Sequence, residues 1–313
     1  MPDVAVLTDS TASIPEQLLE SLHIQTVAYY IHRGQEVLRD LVNIQREEFL
    51  RWLITARFLP TTASPGPGDY FEAYKALAIQ GINEIISIQM SSKVSGGFQA
   101  ASVARAMMQE ECPDVRIEVV DTQNAALCQG WMVIEAARGA LTGLSLDGLL
   151  DSVKKMIPVS HMIQTADTLK YLYMGGRIGK AQQLLGSMLN IKPLIGIEDG
   201  VIIPLGKARS RGQAYQQMAD MVVEVVGKGR AKIAYVHVGA QCEVEKLRDL
   251  VEAKVEVVES LVAELSPALA VHTGPGMTGL CYYPVELERD SDPCRPAKGS
   301  ARSTQASIND CLS

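Results

Sequence analysis

The chain has 313 residues, 47% of them hydrophobic and 21% charged, with a formal net charge of −7. That length suits two domains or one large one, with a core big enough to leave room for a cavity. The acidic balance, with no Lys/Arg run, argues against a nucleic-acid partner and against unspecific attraction to anionic membranes.

The first residues, MPDVAVLTDST, carry no basic segment and only a strand-length apolar run, so they read as neither signal peptide nor anchor. No stretch approaches the ~20 apolar residues of a membrane-spanning helix, and a cytoplasmic location is expected. Cysteines at 112, 128, 242, 281, 294 and 311 form no CxxC pair, so free thiols are expected, with no zinc site or other metal.

Val4–Leu7 reads as a strand running into Thr-Asp-Ser-Thr, followed by a helix through Leu18, Leu19 and Leu22 with Ser13 as its cap. Thr26–Ile31 reads as one strand and Arg46–Ile54 as a helix. Thr61–Gly68, rich in Thr, Pro and Gly, reads as a loop before a helix over 69–78. Glu84–Gln89 is a strand, Met90–Gly97 a polar turn and Phe98–Met108 a helix. Arg116–Val120 is a strand, and 125–141 a long helix. Strand, Ser/Thr-rich loop and helix thus recur three times, which predicts a mainly parallel sheet with flanking helices. Ligands in such folds sit beyond the carboxyl ends of the strands. The loops Thr8–Ser10, Ser91–Gly97 and Asp121–Asn124 should therefore share one rim.

The second half predicts an α/β domain with a mixed sheet. It has short strands at Ser160–Thr165 and Leu194–Ile197, a hairpin to Ile202–Leu205, and a helix over 212–226. A strand at Ala231–Val238, a helix at Val244–Ala253 and strands at Glu256–Leu261 and Ala268–His272 complete it. The expected division is 1–160, 161–285 and a polar, disordered tail over 286–313.

Two glycine motifs fail on context. Gly274-Pro-Gly-Met-Thr-Gly279 fits GxGxxG but no βαβ unit follows it, and Gly175-Gly-Arg-Ile-Gly-Lys-Ala181 lacks the spacing and the Ser/Thr of a phosphate loop. Five scattered histidines and the absence of HExxH and GxSxG give no catalytic signature, although a triad assembled by the fold is defined only by geometry. The loop Ser91-Ser92-Lys93-Val94-Ser95-Gly96-Gly97 opens a helix, whose free N–H groups suit an anion. Ser95 would either bind that anion or cap its own helix. Arg177 is either functional or a surface charge, and His272 either functional or a core histidine.

In order along residues 3–284, Val6-Leu-Thr-Asp-Ser-Thr11, Leu59-Pro-Thr-Thr-Ala-Ser-Pro65, Met90-Ser-Ser-Lys-Val-Ser-Gly96, Val120-Asp-Thr122, Asp167 to Ile178 with its Gly-Gly-Arg, Asn190-Ile-Lys-Pro-Leu-Ile195, Gly206-Lys-Ala-Arg-Ser-Arg211 and His272-Thr-Gly-Pro-Gly276 together resemble the DegV family, fatty-acid-binding proteins that serve as the lipid-carrying subunit of bacterial fatty acid kinase. The resemblance implies a two-domain α/β fold holding one long-chain fatty acid in a buried tunnel. It implies that Thr62, Ser95 and Gly96 bind the carboxylate, with Arg177 and His272 grouped around the head and Arg209 facing a kinase partner. That partner would supply ATP and catalysis, so no catalytic residue and no cofactor are expected in this chain, and transient membrane contact is compatible with lipid exchange. A stand-alone lipid sensor or carrier and an acyl-ester hydrolase are the alternatives. Two departures stand out. Gly97 replaces the family's usual Thr, and Thr62-Ala63-Ser64-Pro65 replaces Thr-Thr-Ser-Gln-Pro. A further expectation is that His272 tunes the head group near neutral pH.

Overall fold

A computed structural model describes residues 2–187 and 191–285. The expected tail from residue 286, and Cys294 and Cys311 within it, lie outside the described residues.

The first half runs β1 (Val4–Asp9), α1 (Glu16–Ser21), β2 (Gln25–Val27), β3 (Tyr30–Arg33), β4 (Glu36–Arg39), α2 (Arg46–Thr55), β5 (Thr61–Ala63), α3 (Pro67–Ile79), β6 (Glu84–Gln89), α4 (Gly97–Glu111), β7 (Arg116–Asp121), α5 (Ala126–Leu141) and α6 (Leu146–Met156). The second half runs β8 (His161–Thr165), α7 (Lys170–Met174), β9 (Lys192–Glu198), β10 (Val201–Ala208), α8 (Arg211–Val226), β11 (Arg230–His237), α9 (Gln241–Glu252), β12 (Glu256–Glu264), α10 (Pro267–Thr273) and β13 (Thr278–Val285).

Strands β2-β1-β6-β7 form a parallel sheet. Because their carboxyl ends share one edge, the three polar loops meet as predicted: Met90 N donates to Asp9 Oδ2, Ser91 N to Asn124 O and Ser92 Oγ to Asp121 Oδ2. The second sheet, β10-β9-β8-β13-β11-β12, is antiparallel except for the β11/β12 pair. A small antiparallel sheet, β4-β3-β5, stands apart from both.

Helix α5 joins the two larger sheets. It packs on β1 and β6 on one side and β13 on the other, and Trp131 Nε1 donates to Cys281 O across that seam. A helix covered all round must be apolar all round. The run Ala126-Leu-Cys-Gln-Gly-Trp-Met-Val-Ile134 is buried without interruption.

Four expectations need correction. Ser13 does not cap α1: it sits in the left-handed region at φ 54, and its hydroxyl accepts from Ser266 N. The apolar run at 26–31 is not one strand, since β2 belongs to the parallel sheet and β3 to the small one. Residues 61–63 are not loop but strand β5, held by β3 through the pair Ile31/Thr62. Finally, Ala268–His272 is helix α10: Ser266 caps it by accepting from Leu269 N, Pro267 fills the first turn and Gly274 ends it at φ 77. The last strand is β13 instead.

Candidate functional site

A cavity of about 320 Å³ lies where the loops of the parallel sheet face the second sheet and α10. Its walls are Met90, Ala125 and Ala126 from the first half, Met162, Ile197 and Ile202 from the second sheet, and Leu265, Ala268 and Leu269 around α10. Alanines at four wall positions, 63, 125, 126 and 268, contribute to the open space.

Polar groups gather at one place in that lining. Thr62 and Ser95 are both there, with Gly96, Arg177 and His272. Thr62 Oγ1 lies 2.8 Å from His272 Nε2. Ser95 Oγ lies 2.7 Å from the Tyr29 hydroxyl. Arg177 is exposed; its Nη1 donates to Gly175 O at 2.7 Å, and its Nε reaches Val94 O at 3.5 Å. Arg209 is elsewhere, exposed in the turn between β10 and α8, beside Lys207 and Gln213.

Ser95 is not a cap. The capping position of α4 belongs to Gly96, which offers no side chain, so the Ser95 hydroxyl is free to work in the cavity. Tyr29 was missed by sequence reasoning, because one tyrosine on an apolar run carries no spacing signal. It is 4% exposed. Burial, and then the Asp9 carboxylate, hold its phenol well above the ordinary range, so it stays a protonated donor. Tyr29 also packs on Gly97. A Cβ there would lie 2.9 Å from the Tyr29 hydroxyl and 3.2 Å from that of Tyr70, so a side chain at 97 would displace the tyrosine hydroxyl from its place.

His272 stays neutral. Burial first, and the Arg177 charge second, push it down to about 4, so the expected tuning near neutral pH is corrected to an acid range. Its Nδ1 has no hydrogen-bond partner among the described residues. We assign the ring proton to Nε2, because a bare buried acceptor is less costly than an orphaned buried N–H. His272 then donates to Thr62, which leaves the Thr62 proton free to turn into the cavity. In the same way Tyr29 can donate to Ser95 and turn the Ser95 proton inward. Thr62 and Ser95 thus each have a donor behind them, and the pair can present two O–H groups to an acceptor.

Helix α10 is held by a buried acid. Asp40 accepts from Ala268 N at 3.1 Å and from Ser10 Oγ at 2.7 Å. Burial raises Asp40 to about 6. Between pH 4 and 6.5 the unfolded chain binds the His272 proton that the fold refuses, so this histidine lowers stability as pH falls through that window. Asp40 acts oppositely: from pH 3.8 to 6 the fold holds the extra proton, and acid favours it. NMR of the ligand-free protein should show His272 titrating near 4, with a higher midpoint once a carboxylate is bound beside it. A midpoint near 6.5 in both states would remove the electrostatic account of the site.

Among the described residues no group of three or more His, Cys, Asp and Glu is placed to hold a metal, and no helix is long and apolar enough to cross a membrane. Cys112, Cys128, Cys242 and Cys281 are free.

By fold and site this is an α/β protein with two larger sheets and one small one, built around a largely apolar cavity whose lining carries several hydroxyl groups. Residues 3–285 match the family described as uncharacterised protein, DegV family, and the chain belongs to that family. A DegV domain-containing protein of Streptomyces coelicolor is 33% identical over 278 residues, covering 88% of this chain and 97% of the relative. One from Caldanaerobacter subterraneus is 29% identical over 283 residues, covering 90% and 99%. Among solved structures, a fatty-acid-binding DegV family protein from Thermus thermophilus superposes with a TM-score of 0.84 at 31% identity, covering 91% of this chain and all of its own. DegV of Bacillus subtilis, described as a fatty acid binding protein, gives 0.80 at 27%, with coverage of 91% and 100%.

Proposed function

We propose that this protein binds one long-chain fatty acid, with the carboxylate at Thr62, Ser95 and Gly96 and the tail along the Met162, Ile197 and Ala126 walls. The observation that carries this reading is the pair of backed hydroxyls, Thr62 with His272 behind it and Ser95 with Tyr29 behind it, in the lining of one largely apolar cavity. The two relatives of known structure named above, both described as binding fatty acid, support it. The cavity falls at the lower end of the ~300–1,000 Å³ usual for small-molecule sites.

A palmitate-sized tail has about 14 methylenes, and burying them favours binding by on the order of 11 kcal/mol before ordering costs. The tail therefore supplies affinity. The hydroxyls fix direction, since a carboxylate taken from water without partners is strongly penalised. Arg177, at the cavity rim, keeps the head ionised.

In this reading residues 1–160 and 161–285 act as two units with the ligand between them. The acid is presented at the rim to a partner kinase that docks on the basic Lys207–Arg211 stretch through the exposed Arg209, and the chain itself catalyses nothing. A stand-alone lipid carrier remains the second reading, because Arg209 lies outside the cavity lining. Protein purified from bacteria and denatured for mass spectrometry should release a long-chain fatty acid. Finding none, with no uptake of added palmitate or oleate, would refute the binding reading. Capture of an ATP-binding protein by the wild type but not by Arg209→Ala separates kinase subunit from carrier.

A further inference from the structure

Resting on the fatty-acid reading, a second polar contact in the cavity narrows the ligand class. Gln164 lies on β8 two residues after Met162, so both side chains face the cavity. Its neighbours on that face of the sheet are apolar: the cross-strand partner is Ile195, and Ile197 and Ile202 continue the wall. The other cross-strand partner is Gly279. A Cβ there would lie 2.7 Å from the Gln164 Cγ, so the glycine supplies the space in which the glutamine stem lies.

The amide is poorly satisfied. Gln164 is 5% exposed, and its Nε2 donates to the Met162 thioether, a feeble acceptor. Its Oε1 has no hydrogen-bond partner among the described residues, and the side chain lines the cavity. By contrast, two other hydroxyls of the lining are engaged, Thr11 with Asp9 and Thr273 with Leu269 O. Gln164 shares no hydrogen bond with Thr62, Ser95, Tyr29 or His272.

A plain methylene chain laid against this amide would strip it of water and return nothing, whereas a hydroxyl on the chain would donate to Oε1 and be satisfied itself. We propose that Gln164 selects a long-chain fatty acid bearing a hydroxyl along its chain, in preference to the saturated acid of the same length. Gln164 is thus a specificity-determining residue apart from the head-group cluster.

The test is competition against a fluorescent fatty acid, using stearate and a series of hydroxystearates with the hydroxyl at successive positions. At least one positional isomer should bind the wild type about tenfold tighter than stearate, the effect of one buried hydrogen bond made rather than lost. In Gln164→Met, which keeps the length and shape of the side chain, that preference should vanish or reverse while stearate binds at least as well. Wild-type protein that prefers stearate to every isomer overturns the proposal, as does a preference that survives in Gln164→Met. The wild-type series alone decides the first point, so a poorly folded variant does not rescue the idea. An oleate preference abolished by the variant would assign the amide to a double bond and also overturn it. If none of these acids binds, the fatty-acid reading fails rather than the role of Gln164.

Discussion

Replacing both cavity hydroxyls, Thr62→Ala with Ser95→Ala, should weaken long-chain fatty acid binding by about a hundredfold while leaving the fold intact. Each hydroxyl gives a charge-assisted hydrogen bond worth about 1.5 kcal/mol, and two of them make about two decades in Kd. Both residues are only half buried, but each leaves a buried partner, Tyr29 or His272, without its hydrogen bond. The thermal midpoint of the ligand-free protein should therefore fall modestly without loss of the fold. The informative control is the fatty alcohol of the same chain length. It carries no charge, so its affinity should fall far less than that of the acid. Titration showing equal losses for acid and alcohol would mean that the variants damage the cavity rather than the head site. An unchanged affinity for the acid would place the carboxylate elsewhere.

Gly175→Ala is expected to reduce fatty acid affinity about tenfold, although it adds a single methyl group and touches no ligand. Gly175 has an ordinary φ of −76, so alanine meets no backbone strain there. The obstacle is steric. The new Cβ would stand 2.3 Å from His272 Nδ1, 2.9 Å from its Cε1 and 3.0 Å from Tyr171 O. Protein interiors are too closely packed to absorb that overlap without a shift. The imidazole must move off its position, and Thr62 loses the donor behind it. Overpacking of this kind costs about 1–3 kcal/mol of stability, so the melting temperature should fall as well. Gly68→Ala, in α3 with nothing within 4 Å of the added atom, is the matched control and should leave binding alone. Crystallography of Gly175→Ala with His272 unmoved and full affinity would remove His272 from the site.

Much of the first half is legible in the sequence. Strand β6 has the predicted bounds, Glu84–Gln89, because a short apolar run between turn residues has few alternatives once flanked by helices. The shared rim followed from alternation alone, since parallel strands put every carboxyl end on one edge. Thr62 and Ser95 were singled out from their motifs, and the fold brings both into one cavity lining. The failures are equally specific. Helix α10 carried a readable start, Ser266-Pro267, and a readable stop at Gly274, but a five-residue apolar run can be strand or helix, and Asp40, 228 positions away, helps decide it by accepting from Ala268 N. Strand β5 looked like a loop because its extended form depends on pairing with β3 rather than on propensity.

The order of motifs along the chain sufficed to determine the family, and local periodicity the alternation; Thr62 and Ser95 came forward as candidates through the resemblance those motifs carry. Which hydroxyl backs which, how closely Tyr29 packs on position 97, and how far His272 is pushed from neutrality were decided only by tertiary structure. Those properties arise from contacts between segments far apart in the chain, such as Tyr29 with Ser95 and Thr62 with His272, and from the removal of water around them. Neither distance nor dielectric is written in the spacing of residues along one strand.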